Sequence, residues 1–446
     1  MTVNPTQPTD VKLDRTLGDQ GAYLLTRGDY LGTLAVLQAC GRRQQPAVLA
    51  DSTANNLCHA SRYRGATVTV PDSESPDTYA ARLLEIGSIC PGLVLYPSSD
   101  DVTWTIARYR DELSAYFRLY TPKIEVIHSL LNKPELYALA QKWGMDTPQT
   151  FAPTSLEALG QFSSTLSYPV LIKPRMQVAL LQRKKGQVCN TPAELLALYP
   201  DFQRRFQYHP ALLAYDPEVV WPMVQAFHTS ASTETYSIEG FYDQSGEVFL
   251  TRAATKVLQF PLKVGVGLCF ESRPVLAELA KPLQLMMQDV GYYGAFEAEF
   301  IPDQTGGWML MDFNPRFYGQ MNFELFRGLP LDRLVWAGAM NDQALIHEIA
   351  KIDAVQQQSG DFNNQPYRFA NCWKLKLIVT TQAIAGRMSW KERGYWLRWI
   401  NYSANFFVDQ VYAKDDPGPS KREIHAFLRG ILHHPRSSLR TLFGNL

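Results

Sequence analysis

Several common chemistries leave no trace in this chain. Its 446 residues hold only six cysteines, at 40, 58, 90, 189, 269 and 372, and no two form a CxxC pair. That argues against a zinc site and a disulfide framework and suits a reducing compartment. Lysine plus arginine (43) balance aspartate plus glutamate (43), so no bulk positive charge favours nucleic acid. No apolar run approaches the roughly 20 residues of a membrane span. The opening MTVNPTQPTDVKLD lacks the apolar centre of a signal peptide. A soluble cytoplasmic protein is the expectation. GxGxxG, GxxxxGK[ST] and GxSxG are all missing, which removes the dinucleotide fingerprint, the P-loop and the hydrolase nucleophile elbow. The eight histidines are scattered without HxxxH spacing, so histidine chemistry is not indicated.

What is present reads as a globular α/β protein. A hydrophobic content of 46% against 19% charged residues is that of packed domains, and the length predicts two or three of them. Residues 1–20 are polar and Pro/Thr-rich, a loose tail by composition. Residues 21–125 alternate strand-like runs (PAVLAD, GLVLYP) with helical patterns (GTLAVLQACGRR, TYAARLLEIGSI), which predicts an open, largely parallel sheet. The loop Ser98 to Asp101 follows such a strand. It either meets a ligand at the strand's carboxyl end or caps the next helix.

Farther on, LNKPELYALAQKWG predicts a helix with Asn132 as cap, Pro134 in its first turn and Gly144 at its end. Val170 to Ile172 form a short strand ahead of Lys173, and WPMVQAF forms another. TETYSIEGFYD and GEVFLTRAATKVLQ pair over DQSGE as a hairpin. After residue 345 the character changes. WKLKLIVTTQAI reads as a strand, the aromatic stretch 390–412 as core or interdomain packing, and Pro417 and Pro419 as breaks. The segment from Lys421 to Arg440 carries five Lys/Arg and three His against one Glu. Ile424, Phe427, Leu428, Ile431 and Leu432 are interleaved with them. This predicts an amphipathic helix, ended by Pro435, that docks on the body of the protein. The alternative is a weak peripheral contact of the basic tail with anionic membrane.

The chemistry concentrates in the hairpin GAFEAEFIPDQTGGWMLMDFNPRF. Alternation puts Glu297 and Glu299 on one face of the first strand and Asp312 and Asn314 on one face of the second. With a turn at residues 304–307, Glu299 lies opposite Asp312 and Glu297 opposite Asn314. Facing carboxylates repel unless a cation sits between them, and such an open oxygen set suits Mg²⁺. Arg316 can reach the same phosphates or a substrate carboxylate. Lys173 and Lys256, each at a strand, add charge that could contact a triphosphate without a P-loop. The plain alternative is a solvated hairpin.

With these elements in order, the chain resembles the ATP-grasp superfamily, carboxylate–amine ligase type. The matching stretches are LNKPELYALAQKWGMDTPQTF, YPVLIKP, PMVQAFHTSASTETYSIEGFYDQSGEV, TKVLQFPLKVGVG and GAFEAEFIPDQTGGWMLMDFNPRFYGQMNFELFRGLPL, spanning about 130 to 335. The resemblance implies an open parallel-sheet pre-ATP-grasp domain (21–125), an ATP-grasp domain of two α+β subdomains (126–345) and a C-terminal extension (346–446). It implies that Lys133 and Lys173 contact ATP phosphates. Gln225, Ala226 and Phe227 would give backbone contacts to adenine, and Glu234 would lie near the ribose. Lys256 would approach the reacting phosphate or acyl group. Glu299, Asp312 and Asn314 would hold Mg²⁺, with Mn²⁺ as a substitute, and Arg316 would stabilise an acyl phosphate. Three departures stand out. Ala226 replaces the usual glutamate after the glutamine. RMQVALLQRKKGQV replaces a glycine-rich loop, with Lys184, Lys185 and Gly186 as stand-ins. Asp312 sits where glutamate is commoner. The implied activity joins a small-molecule carboxylate to an amine with release of ADP and phosphate. Two other readings stay open: another ATP-grasp chemistry, of carboxylation or carbamoyl phosphate type, and a non-catalytic ATP-binding protein.

Overall fold

Strand-forming runs sort into three sheets in a computed structural model that describes residues 13–53, 56–181, 186–228, 235–260, 266–303, 305–358, 366–401 and 405–436. The first sheet holds β1 (Tyr23–Thr26), β2 (Ala47–Asp51), β3 (Ala66–Thr69) and β4 (Val94–Leu95) in the order β3-β2-β1-β4. Its three strand pairings are all parallel, as the strand–helix alternation predicts. β1 is buried along its whole length, because apolar residues occupy both of its faces. The second sheet, β5-β8-β6-β7, is built from β5 (Thr150–Phe151), β6 (Val170–Lys173), β7 (Gln187–Cys189) and β8 (Met223–Ala226), paired antiparallel.

The third sheet carries the carboxylate hairpin. It comprises β9 (Thr235–Tyr242), β10 (Phe249–Phe260), β11 (Val266–Arg273), β12 (Gly294–Pro302), β13 (Trp308–Asn314), β14 (Arg368–Ala370) and β15 (Phe407–Asp409). Their order is β13-β12-β9-β10-β11-β14-β15. The expected hairpins β9–β10 and β12–β13 both form. The C-terminal region therefore extends the central sheet through β14 and β15.

Some expectations are corrected. Residues 13–20 are not a loose tail: Leu13 is buried and Thr16–Asp19 is a helical turn. The helix Lys133–Lys142 forms, but the Asn132 side chain does not cap it and instead donates to Asp216 at 3.1 Å. WKLKLIVTTQAI is a helix, Cys372–Ile384, with Asn371 accepting from the Lys374 amide. Its buried Leu375, Ile378, Val379 and Gln382 recur at helical spacing, a period its β-branched run obscured. Pro417 and Pro419 open the helix Gly418–His433, where a first-turn proline costs nothing. That helix ends before Pro435, as expected. Its apolar face is only partly covered: Phe427 meets Trp373 at 5.4 Å between rings, while Leu428 and Leu432 are exposed. In the aromatic stretch, Trp399 packs in the core, but Trp390 and Tyr395 are exposed.

Close approach joins the first sheet's unit to the hairpin. A Cβ on Gly32, in the helix Leu31–Arg42, would stand 2.4 Å from the Tyr318 carbonyl oxygen. Gly32→Val should therefore destabilise the protein by about 1–3 kcal/mol. Gly160→Ala, in the helix Leu156–Ser163 where a Cβ meets nothing within 4 Å, should instead stabilise it by about 0.4–1 kcal/mol. Urea unfolding of the two variants checks both signs.

Candidate active site

Register sets the donor array. Glu299 pairs with Asp312 and Glu297 with Asn314, as strand parity predicts. On the other side of β12, Glu297 faces Glu239 and Glu299 faces Ser237 of β9. Lys256 of β10 has the parity of Ala254, which pairs with Ser237, so it belongs to the same face. A cavity of about 490 Å³ opens over this face, lined by Lys256, Glu297, Glu299 and Arg316 together with Tyr30 and Gln320.

Lys133, Asp312, Glu297 and Arg316 each have a definite partner. Lys133 Nζ reaches Asp312 Oδ1 at 2.6 Å. Burial works against the charge on Lys133, but the Asp312 carboxylate outweighs it and its pKa is raised. Burial also works against ionised Asp312, yet Lys133 holds its pKa below the usual value. Lys173 has the opposite fate. Burial, then repulsion from Lys133, brings it down to about 7. Arg316 is held by Asp100 at 2.5 Å and donates to Asn314 Oδ1 and the Phe317 carbonyl, each at 3.0 Å. Asn314 Nδ2 donates to Glu297 at 2.9 Å, and Gln320 Nε2 to the same carboxylate at 2.7 Å. Glu299 makes no side-chain hydrogen bond among the described residues. Burial raises its pKa, Lys256 opposes the rise and Asp312 adds to it. Glu297 is raised further by burial and by the charges of Glu299 and Glu239.

A buried ionic layer supports this face. Glu239 is fully buried, hydrogen-bonded to Ser237, and 3.9 Å from Arg327, which also pairs with Glu324. Burial and the Glu324 charge push Glu239 up to about 8. Five carboxyl groups thus lie at or beneath one sheet face beside five cationic side chains, and the open oxygens among them are the donor chemistry of a divalent-cation site.

The structure brings Lys133, Lys173, Lys256, Glu299, Asp312, Asn314 and Arg316 together. Gln225 is buried in β8; its Nε2 donates to Tyr137 Oη at 3.0 Å, and Tyr137 donates to the Met311 carbonyl at 2.9 Å. β8 is thereby tied to the residue before Asp312. The amides of Ala226 and Phe227 already donate to the Gln149 and Pro169 carbonyls, at 2.9 and 3.1 Å. Those two N–H groups are not available to a nucleotide. Glu234, Lys184 and Lys185 lie outside the described residues. In the loop after β4, Ser99 caps a helix and Asp101 accepts from the Ala179 amide, whereas Asp100 holds Arg316. Sequence reasoning missed Gln320 and the Glu324–Arg327 pair, which carry no strand-parity signal.

Among the described residues, one group could in principle hold a metal elsewhere: His128, Glu135 and Asp216. Trp104 Nε1, a donor only, gives its hydrogen to His128 Nδ1 at 3.3 Å. The neutral ring must then carry its proton on Nε2, which faces Asp216 at 3.2 Å. No ligand lone pair remains there, so the group is a hydrogen-bonded clasp.

No family model and no curated protein matches the chain in sequence. Solved structures do match in shape. The biotin carboxylase domain of Hydrogenobacter thermophilus 2-oxoglutarate carboxylase, in complex with MgADP, ADP and bicarbonate, aligns at a TM-score of 0.56 and 15% identity, over 71% of this chain and 69% of that one. Campylobacter jejuni biotin carboxylase aligns at 0.55 and 14%, over 71% and 70%. Bacillus licheniformis L-amino acid ligase aligns at 0.50 and 13%, over 71% and 73%. The chain has the ATP-grasp fold.

Proposed function

We propose that the protein is an ATP-dependent carboxylate–amine ligase, with residues 126–345 as its catalytic unit. The observation that carries this reading is the convergence of Lys133, Lys173, Lys256 and Arg316 on the Glu297–Glu299–Asp312–Asn314 array, with Lys256, Glu297, Glu299 and Arg316 lining one cavity beside it. The fold is shared by ligases and carboxylases, so the reaction class rests on this chain's own residues.

The donor set fits Mg²⁺. Glu299 makes no side-chain hydrogen bond among the described residues, Asp312 faces it across the strands, and burial with repulsion from Asp312 disfavours the Glu299 charge unless a cation is present. Bound there, Mg²⁺ would neutralise charge on the triphosphate oxygens. The protein's side chains do the rest by position and charge. Lys133 and Lys173 face the phosphates. Arg316, fixed by Asp100 and Asn314, fits the substrate carboxylate or the acyl phosphate. A carboxylate oxygen attacks the γ-phosphorus, the bridging P–O bond breaks, and its electrons leave on ADP. The amine nitrogen then attacks the acyl carbon, phosphate departs, and the nitrogen loses a proton. No side-chain nucleophile is required.

With hydroxylamine in place of the amine and a pool of small carboxylic acids, the expected products are a hydroxamate and ADP. A ferric-hydroxamate colour test and nucleotide chromatography read both. AMP and pyrophosphate would indicate an adenylate and overturn the reading. ADP formation that needs bicarbonate and yields no hydroxamate would favour carboxylation.

A further inference from the structure

Lys133 and Lys173, which face the phosphates on the ligase reading, do not line the cavity over the carboxylate hairpin. That cavity is left for the carboxylic acid. Its volume of about 490 Å³ is within the roughly 300–1,000 Å³ of small-molecule sites. Three parts of the chain wall it. Asp29 and Leu31 come from the first unit, Phe270 from β11, and Phe369 and Gln410 from the C-terminal extension.

Its positive charge is limited and committed. Among the described residues, Lys256 and Arg316 are the cationic side chains that line it, against the carboxylates of Asp29, Glu297 and Glu299. Arg27 grips Asp29 through Nε at 3.0 Å and Nη2 at 3.1 Å, so that carboxylate is already paired. On the ligase reading Arg316 takes the carboxylate or acyl phosphate, and Lys256 serves the same reacting end. A second anionic group on the acid would meet no further cation and would stand near Glu297 and Glu299. An apolar stretch of wall is built into the central sheet. Phe270 of β11 pairs with Phe369 of β14, with ring centroids 6.0 Å apart, and Phe369 stacks on Phe323 at 5.4 Å. Gly267 makes room for it: a Cβ there would stand 2.2 Å from Phe270 Cζ and 3.1 Å from Lys256 Cδ. The ring and the lysine stem thus share the space that a side chain at 267 would take. Leu31, half-buried at the start of the helix Leu31–Arg42, is brought in by the close approach of Gly32 to Tyr318.

Resting on the ligase reading, we propose that the acid is a monocarboxylic acid with an aromatic or branched apolar body, selected by Leu31, Phe270 and Phe369. Its carboxylate meets Arg316, and its body lies against the Phe270 side of the cavity. Because Phe369 belongs to β14, the C-terminal extension takes part in choosing the substrate.

The test is ¹⁹F line broadening of three probes by the full-length protein with Mg²⁺ and ADP present: 3-(4-fluorophenyl)propionate, 3-fluoroglutarate and 3-(4-fluorophenyl)propan-1-ol. The aromatic monoacid should bind about tenfold or more tightly than either the diacid or the alcohol. Leu31→Asp should weaken the monoacid about tenfold, and an acidic residue in a first helical turn is compatible with folding. A diacid or alcohol that binds as tightly as the monoacid overturns the assignment. So does an unchanged monoacid affinity in Leu31→Asp, or no broadening of any probe by the wild type. Because binding is read without turnover, the two readings fail separately. Hydroxamate formed from a diacid would keep the ligase reading and overturn the monoacid selectivity. No hydroxamate from any acid, with the order of the probes intact, would do the reverse.

Discussion

Asp312→Asn and Glu299→Gln should each lower ATP turnover by about 100- to 1,000-fold, the usual cost of removing one group that stabilises developing charge. Their effects on stability should differ in sign. Glu299 carries a carboxylate that burial disfavours, so a neutral glutamine should hold or raise the thermal midpoint in metal-free buffer. Asp312 instead neutralises Lys133, whose side chain is only 13% exposed, and its loss leaves a cation without its partner. Asp312→Asn should lower the midpoint. Coupled ADP assays and calorimetry read the two effects separately. Full activity in both variants would remove the hairpin from the chemistry.

The affinity for ATP should fall about tenfold per pH unit as pH rises above 7, up to the raised pKa of the bound form. The cause is Lys173, brought down to about 7 by burial and then by Lys133. A triphosphate beside this amine favours its charged form, so binding takes up a proton. Calorimetry in two buffers of different ionisation heat should detect that uptake. The linkage to folding has a fixed sign: the free lysine, at about 10.4, binds its proton more tightly than the folded one. Lys173 therefore contributes stability that is present above the unfolded value and lost as pH falls through about 7. Lys173→Met should flatten the pH profile and weaken binding throughout. A wild-type affinity unchanged between about pH 7 and 9 would show that Lys173 does not meet the phosphates.

Strand parity made most of this site legible. The residues 297, 299, 312 and 314 alternate with buried aromatics and aliphatics, and a turn at 304–307 fixes their register without further information. Lys173 was legible as the polar end of an apolar run. The parallel first sheet followed from apolar runs separated by amphipathic helices. Asp100 was less clear, because a residue after a strand can equally cap a helix, and only the fold brings Arg316 to it. Gln320 and Arg327 lie in irregular or helical segments, where no period marks the buried face. The helix Cys372–Ile384 was misread because Leu, Ile, Val and Thr in succession satisfy both periods, and only the Asn371 cap separates them. The amides of Ala226 and Phe227 show a further limit: strand propensity identified β8, but pairing with both neighbours, which determines the free donors, is a tertiary property.

The placement of β14 and β15 in the central sheet has a consequence for synthesis. Asp416 accepts hydrogen bonds from Gln38, Ser61 and the Arg62 amide, and Asp415 pairs with Arg42, so a segment made late fastens one made early. The Arg62 and Asp416 partners are 354 residues apart. At about 5–20 residues per second, the ribosome leaves the first unit waiting roughly 20–70 s for its clasp. Within that interval β11 (Val266–Arg273) is an open sheet edge until β14 (Arg368–Ala370) has been made. The nascent chain therefore carries an aggregation-prone edge between the synthesis of β11 and that of β14, and holdase chaperones should engage it at that stage.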